Sequence, residues 1–398
     1  MEYLRMRKHT NSQPSARATG RSRRRFISAA GAAALAGLAG CTGGGGSDGD
    51  SGGDASSGTT TGTEDTTPPK PDSITVRAWG GAWQENLDKH IAQAFTDETG
   101  IEVEYDNSTE EEMQGKIRTA ITQDRTPPVN VNWSLSKTSY RSYQMGLMEP
   151  LDTEVAPNLE GLLGASKPEV EDAEWPFVNL YSYTYALTYN TDLVSSEPTS
   201  WSVWWDDEWE NSIGLYPGGH GMTPLIAKMT GTELGPVEEM TPVWDEYTAL
   251  KPNVGTIGDD SHLTQNLRQG EVAMSVMLPA NIINAQDDGA PVDYTIPEEG
   301  ARAGRDTMWT PTNQDERYVY WGQKFIDTAA NAENLGPWST ELGVAPLHAD
   351  ATIPDWMRES VAFPTSEEQF NQMITVPLDL LIEHQAAWES RVNEMMQA

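Results

Sequence analysis

The chain of 398 residues carries 60 acidic and 26 basic residues, a formal net charge of −34, and a single cysteine. This charge excludes nucleic acid and anionic lipid headgroups as electrostatically attracted partners, because the protein's own field repels both. One cysteine excludes an intramolecular disulfide and a cysteine-based metal cluster.

The first 41 residues have the arrangement of an export signal. Residues 22–27 read Ser-Arg-Arg-Arg-Phe-Ile, which is typical of a twin-arginine signal, and an apolar stretch follows over residues 29–39. That stretch is too short and too rich in Ala and Gly to predict a permanent membrane span. Residues 38–41 read Leu-Ala-Gly-Cys, which resembles a lipobox. We therefore expect Cys41 to carry a lipid anchor on the extracellular face of the cell membrane.

Residues 42–72 consist almost wholly of Gly, Ser, Thr, Asp and Pro. Such a segment cannot bury enough apolar surface to offset its ordering entropy, so it predicts a disordered linker. The body, residues 73–398, is long enough for two hydrophobic cores.

The body opens with the pattern of a parallel sheet. Residues 73–79 alternate like a strand, residues 83–99 carry apolar side chains at helical spacing, and residues 101–105 alternate again. Glu110–Thr122 predicts a second helix and residues 128–133 a third strand. Strand–helix–strand–helix–strand is typical of a parallel sheet with helices on its faces.

A second α/β pattern begins after residue 179. Strands are predicted over residues 180–189, 212–216 and 272–278, and helices over residues 224–230 and 263–269. Four tryptophans in this region are predicted to pack its core: Trp201, Trp204, Trp205 and Trp209.

After Met308 the first pattern returns, with a helix predicted over residues 316–331 and a long amphipathic helix, or a pair, over residues 367–396. We predict an α/β fold of two lobes with a hinge cleft. The predicted division is lobe 1 over residues 73–182 and 306–350, lobe 2 over residues 183–305, and C-terminal helices over residues 351–398 that pack across both lobes.

Three stretches carry a family resemblance. Residues 95–103 read Phe-Thr-Asp-Glu-Thr-Gly-Ile-Glu-Val, residues 146–152 read Gly-Leu-Met-Glu-Pro-Leu-Asp, and residues 388–394 read Trp-Glu-Ser-Arg-Val-Asn-Glu. In this order they resemble the extracellular solute-binding proteins of ABC importers, in particular the spermidine/putrescine-binding family. The resemblance implies a type II periplasmic-binding-protein fold, in this case of a haloarchaeal-type lipoprotein, whose lobes close over a small solute and deliver it to a membrane permease.

The resemblance also implies binding residues. Trp79 and Trp83 lie where family members place ligand-stacking aromatics, and Trp133 and Ser134 fall near the ligand loop of lobe 1. Asp306 aligns with the acidic residue that polyamine binders use against an amine. Indole faces attract ammonium groups by cation–π interaction, worth roughly 0.5–2 kcal/mol each, and a carboxylate adds a charge-assisted hydrogen bond. Tryptophans that merely pack the fold are the other interpretation.

Departures from the family pattern favour a solute other than a pure polyamine. An acidic pair is replaced by Pro-Gly-Gly-His-Gly at residues 217–221, and an aromatic two residues before Asp306 is replaced by Gly304. The glycine-rich loop would present N–H groups to an anion at a helix start, or is simply a turn. The candidate ligand-binding residues are Trp79, Trp83, Trp133, Ser134, Gly219, His220, Asn281 and Asp306.

The function that follows is a monomeric substrate-binding lipoprotein of an ABC transporter, which captures a small amine-containing solute, polyamine-like or zwitterionic. The alternative is a surface glycan- or cell-wall-binding, or sensory, lipoprotein; Asn107 and Asn132 begin glycosylation sequons. The six histidines show no metal-ligand spacing and no serine stands in a nucleophile elbow, so we predict no enzyme, cofactor or metal.

The acidity itself generates a prediction. Removing the first 41 residues leaves 18 basic and 59 acidic residues, a net charge near −41. A cationic ligand would be attracted, but the acidic residues are scattered along the whole body, which favours a solvated coat that concentrated salt screens. We therefore expect cooperative folding at about 3 M KCl and loss of structure at about 0.1 M. Circular dichroism at the two concentrations measures this, and full stability in dilute buffer would contradict it.

Overall fold

The structure is a computed structural model that describes residues 67–168, 170 and 175–397. The predicted export signal, Cys41 and the linker up to residue 66 lie outside the described residues. In the part of the chain that is described, every helix is too short or too polar to cross a membrane.

Among the described residues, strands form two sheets. In chain order they are β1 (Ser73–Arg77), β2 (Glu102–Asp106), β3 (Val131–Leu135), β4 (Met148–Glu149), β5 (Val178–Thr184), β6 (Ala186–Asn190), β7 (Ile213–Leu215), β8 (Val254–Ile257), β9 (Met274–Met277), β10 (Val292–Thr295), β11 (Ala303–Pro311) and β12 (Ala345–Pro346).

Helices cover and connect the sheets. They are α1 (Gly81–Leu87), α2 (Gln93–Thr99), α3 (Glu110–Thr122), α4 (Ser136–Gln144), α5 (Met222–Thr230), α6 (Thr241–Leu250), α7 (Asp260–Gln269), α8 (Pro279–Asp287), α9 (Glu316–Ala330), α10 (Ala332–Leu342), α11 (Asp355–Glu359), α12 (Glu367–Gln372) and α13 (Leu378–Gln397). A π-helical turn, Asp88–Ala92, joins α1 to α2, and short 3-10 turns fill several connections.

The first sheet has seven strands in the order β12-β5-β11-β3-β1-β2, with β4 paired to β11. Its parallel part is confirmed, because β1 pairs in parallel with both β2 and β3. The expectation of a parallel sheet is wrong for the other half, where β11 pairs antiparallel with both β3 and β5. Local periodicity does not reveal this pairing, because β11 lies far from β3 in the sequence.

The second sheet has five strands in the order β10-β6-β9-β7-β8. Trp201 and Trp204 are fully buried in its core, and Trp205 and Trp209 pack against that core, which confirms their predicted packing role. This part of the chain therefore builds its own hydrophobic centre.

The chain passes between the sheets at two places. The strand predicted over residues 180–189 is in fact two strands, since β5 belongs to the first sheet, β6 belongs to the second, and Tyr185 stands between them. Both halves are almost completely buried, so their residues show no change of pattern at the junction. The chain returns before Ala303, where β11 begins; the predicted limits at residues 182 and 305 fall inside β5 and β11.

The predicted C-terminal helical segment is a pair, α12 and α13. Helix α13 contacts α4 beside the first sheet and α6 beside the second. Lys137 Nζ on α4 donates to Gln385 Oε1 at 2.9 Å, and Trp388 Nε1 donates to the carbonyl of Gly235 at 2.8 Å. One helix thus ties together the regions of both sheets.

Residues 68–72, predicted as the end of the linker, contact the body. Lys70 Nζ donates to the carbonyl of Thr99 at 2.7 Å, and Trp321 Nε1 donates to the carbonyl of Pro68 at 3.2 Å. The prolines in this stretch restrict the unfolded chain, so less entropy is lost when the stretch orders against the body. The prediction of a disordered linker did not take this into account.

Gly219 and Gly231 provide a matched test of packing in the second region. Both have a positive φ, 63° and 67°, but a Cβ atom at Gly219 would overlap the Tyr247 hydroxyl, whereas a Cβ at Gly231 meets nothing within 4 Å. We expect Gly231→Ala to cost about 1–2 kcal/mol for the backbone alone, and Gly219→Ala to cost about 1–3 kcal/mol more through overpacking. Denaturant unfolding of both variants measures the difference, and equal losses would contradict the contact.

Candidate functional site

A cavity of about 360 Å³ lies where strands of both sheets end. Trp79 follows β1, Leu135 ends β3 and Leu278 follows β9, so the lining comes from the carboxyl ends of strands in the two sheets. The remaining lining residues are Trp83, Tyr183, Tyr185 and Asp306. Carboxyl ends of strands are where open α/β sheets bind ligands, and the volume suits a small solute.

The predicted residues Trp79 and Trp83 both line this cavity. The guanidinium of Arg77 lies 3.9 Å from the centre of the Trp79 ring, and Arg77 Nη1 donates to the carbonyl of Trp133 at 2.6 Å. Trp83 stacks on Tyr181 with ring centres 6.4 Å apart. Arg77 therefore supports Trp79 and Tyr181 supports Trp83, while both indoles still line the cavity.

Trp133 and Ser134 do not line the cavity. Trp133 is fully buried, lies edge-on to Trp79 at 6.2 Å, and donates from Nε1 to the Tyr181 hydroxyl at 3.1 Å. Ser134 is also fully buried and its hydroxyl lies 2.7 Å from that of Ser139. Both belong to the central strand β3, so they form the layer beneath the cavity wall.

Asp306 is the charged group of the cavity. It is 4% exposed, its Oδ2 accepts a hydrogen bond from the Tyr181 hydroxyl at 2.6 Å, and its Oδ1 has no hydrogen-bond partner. Burial raises the pKa of this carboxyl to about 7, although the Tyr181 hydrogen bond and the charge of Arg77 act in the opposite direction. A carboxylate held this way can still accept a hydrogen bond from a ligand.

Tyr183 and Tyr185 line the cavity but were missed by the sequence reasoning. In the antiparallel pairing of β5 with β11, Tyr183 stands opposite Gly304 and Tyr181 opposite Asp306. A Cβ atom at Gly304 would overlap the Tyr183 ring, so the glycine makes room for this tyrosine. The aromatic that Gly304 lacks is thus supplied from the neighbouring strand. The alternate aromatics at residues 181, 183 and 185 were the available signal.

Gly219 and His220 both line a small space of about 20 Å³, and His220 also lines a separate cavity of about 150 Å³. The neighbouring N–H of Gly218 donates to Asn393 Oδ1 at 2.8 Å and that of Gly219 to the carbonyl of Tyr216 at 3.0 Å. Two of the loop donors are therefore used within the protein. The His220 ring Nε2 lies 2.7 Å from the Tyr185 hydroxyl, and burial lowers the pKa of His220, which favours the neutral ring.

Asn281 lies apart from the aromatic cavity. Its Nδ2 donates to Asp260 Oδ1 at 2.8 Å, and the Tyr216 hydroxyl donates to the same oxygen. The structure therefore brings Trp79, Trp83 and Asp306 together, and His220 near them through Tyr185, but does not place Asn281 at the cavity.

The second cavity has a volume of about 150 Å³ and shares Leu135, Tyr183 and Tyr185 with the first. Lys137, His220 and Arg302 contribute to its lining, which contains no carboxylate. The guanidinium of Arg302 lies 5.4 Å from the centre of the Tyr185 ring, is 8% exposed, and has an Nη1 without a hydrogen-bond partner. Within the described residues, no three His, Cys, Asp or Glu side chains are grouped as a metal would require.

Comparison with known proteins agrees with this architecture. A spermidine/putrescine-binding periplasmic protein of Salmonella typhimurium is 24% identical over 240 residues, which is 58% of this chain and 66%, just under two thirds, of that protein. The substrate-binding protein of a spermidine/putrescine ABC transporter from Streptococcus pneumoniae superposes with a TM-score of 0.65 at 21% identity, over 80% of this chain and all of that one. An ABC transporter protein from Clostridium perfringens gives a TM-score of 0.66 at 19% identity, over 81% and 99%.

The structural likenesses confirm the two-lobe periplasmic-binding-protein fold. The family described as bacterial extracellular solute-binding protein matches residues 90–365, well over half of the chain. The chain belongs to the bacterial extracellular solute-binding protein family.

Proposed function

We propose that this protein is the receptor of an ABC importer and that it captures a small solute carrying an ammonium group. The observation that carries the proposal is the Asp306 carboxyl, buried and with an unpartnered Oδ1, in a cavity walled by Trp79, Trp83, Tyr183 and Tyr185. Aromatic faces attract ammonium groups, and a carboxylate adds a charge-assisted hydrogen bond. The relatives named for spermidine and putrescine support an amine as the ligand.

Delivery of the bound solute to a membrane permease is part of the same proposal. The cavity lies between strand ends of both sheets, so a bound solute contacts both and stabilises the closed arrangement over the open one. A lipid on Cys41 would hold the receptor near a permease and raise its effective concentration there. Deletion of the gene should then abolish uptake of the bound amine, and uptake at the normal rate would contradict a role in import.

Asp306→Asn is the direct test of amine binding. An amide retains the shape and the acceptor for Tyr181 but removes the charge, so we expect putrescine and spermidine to bind about tenfold to a hundredfold more weakly. Isothermal titration in concentrated KCl measures the affinities, with Asp288→Asn, at an exposed carboxylate outside the cavity, as the control. Unchanged affinity in the Asp306 variant would sink the proposal.

The affinity should also depend on pH. Since the pKa of Asp306 is raised to about 7, the carboxyl is largely protonated at pH 6. It must lose this proton before it can accept a charge-assisted hydrogen bond from an ammonium group. We expect amines to bind about tenfold more tightly at pH 8 than at pH 6 in the wild type, and equally at the two pH values in Asp306→Asn. The same titrations repeated at both pH values decide this.

The stability of the ligand-free protein should change with pH in the direction opposite to the amine affinity. Because the pKa of Asp306 is about 7 when folded and 3.8 ordinarily, the native state binds more protons than the unfolded state between these values. The free energy of unfolding therefore falls as the pH rises from 4 to 8, by up to about 4 kcal/mol. Denaturation of the wild type and of Asp306→Asn at pH 5 and pH 8 tests this; parallel changes in both would refute it.

A further inference from the structure

The paired strands β5 and β11 carry two opposite charges on one face. Arg302 immediately precedes β11, and positions 302, 304 and 306 fall on the same side of an extended chain because side chains alternate. Their partners across the pairing follow the same rule. On β5, Tyr181 is opposite Asp306 and Tyr183 is opposite Gly304. Just beyond the end of β5, the N–H of Tyr185 donates to the carbonyl of Arg302 at 2.9 Å. The face therefore runs from a carboxylate, past an aromatic ring, to a guanidinium.

The two charges do not neutralise each other. Asp306 Oδ1 and Arg302 Nη1 are both buried and both lack a hydrogen-bond partner, and the two residues form no ion pair with each other. Four residues of extended chain separate their Cα atoms by about 13 Å, and the Tyr183 ring occupies the space between them over Gly304. Asp306 and Arg302 do contact uncharged tyrosines, through the Tyr181 hydroxyl and the Tyr185 side chain. Burying a carboxyl and a guanidinium that each keep one unsatisfied atom is still unfavourable, which indicates that another molecule supplies the partners.

The surroundings of Arg302 suit an anion, although the protein as a whole is strongly acidic. The cavity beside Arg302 is lined by Lys137 and by no carboxylate, and Lys137 Nζ donates a hydrogen bond to the neutral Gln385 Oε1 at 2.9 Å. Arg305, in contrast, donates to the carbonyl of Ala165 at 2.9 Å and lies over Phe370, so it is already engaged. On α13, Glu389 Oε1 lies 3.7 Å from His220 Nδ1 and accepts a hydrogen bond from Gln385 Nε2.

We propose that the solute is a zwitterion with its charges at opposite ends of a short chain, an ω-amino carboxylate, whose ammonium binds Asp306 and whose carboxylate binds Arg302. The two contiguous cavities, which share Leu135, Tyr183 and Tyr185, hold its two ends. This rests on the proposed amine-binding function and names the second group of the ligand. Guanidinium groups pair well with carboxylates because two parallel N–H donors face two oxygens.

The experiment compares ω-amino acids with amines of the same chain length. The probes run from 3-aminopropanoate to 6-aminohexanoate, each beside the alkylamine that lacks the carboxylate, with putrescine as a diamine. We expect at least one amino acid to bind about tenfold or more tightly than its matched amine and than putrescine. Isothermal titration of the wild-type protein in concentrated KCl at pH 8 measures these affinities.

Variants of Arg302 test whether this residue causes the preference for the amino acid over its matched alkylamine. Arg302→Gln should lower the affinity for the amino acid about tenfold relative to the affinity for its matched alkylamine, and so remove the preference, whereas Arg302→Lys, which keeps the charge, should retain part of it. Arg268→Gln, at an exposed arginine that pairs with Asp288 outside both cavities, should behave as the wild type. Circular dichroism of each variant verifies that it is folded, and the lysine variant keeps the test valid should the glutamine variant unfold.

The outcomes separate the two proposals. Amines that bind through Asp306 without any preference for the amino acids, or a preference that survives Arg302→Gln, overturn the zwitterion and leave the amine receptor standing. Tighter binding of putrescine than of every amino acid does the same. Absence of binding by all amines and amino acids overturns both.

Discussion

The antiparallel pairing of β5 with β11 is the constraint on which both the fold and the candidate site depend. These strands carry the chain into the second sheet at Tyr185 and back at Ala303, so their register fixes how the two sheets meet. The same register sets Tyr181 against Asp306 and Tyr183 against Gly304. A shift of one residue would turn every one of these side chains to the opposite face. The architecture and the ligand-facing surface are therefore specified by one set of backbone hydrogen bonds.

Much of the first sheet could be predicted from the sequence, because β1, β2 and β3 alternate with helices and pair locally in parallel. The insertion of β11 could not, since it pairs with strands far away in the chain and leaves no local pattern. The site divides in the same way. Trp79 stands beyond the end of β1, where a resemblance to ligand-stacking aromatics is informative. Trp133 lies inside β3, a central strand buried on both faces, where alternation cannot say which side faces a cavity.

The replacement of an aromatic by Gly304 shows why single positions mislead. In the sequence it is one of the departures that favour a solute other than a pure polyamine. In the structure the wall is retained, because the Tyr183 ring fills the space above the glycine from the adjacent strand. Such compensation depends on which residues stand opposite each other, and the register between two strands cannot be read from the sequence of either strand alone. The N–H groups of Gly218 and Gly219, which the sequence offered for an anion, have partners within the protein, whereas Arg302 Nη1 has none; the proposed anion contact is therefore at Arg302.

In the proposed binding mode, the buried Asp306 carboxyl and Arg302 guanidinium, each with one atom that lacks a hydrogen-bond partner, bear on how the lobes would close. Water would hydrate both groups in an open cleft and closure would remove it, so closure without a ligand would carry the full desolvation penalty. A solute that satisfies both charges removes the penalty and leaves the aromatic contacts as a net gain. Helix α13 contacts both α4 and α6, so it links the regions of the two sheets. In the proposed importer, an empty receptor would thereby be kept from the closed form that a permease recognises.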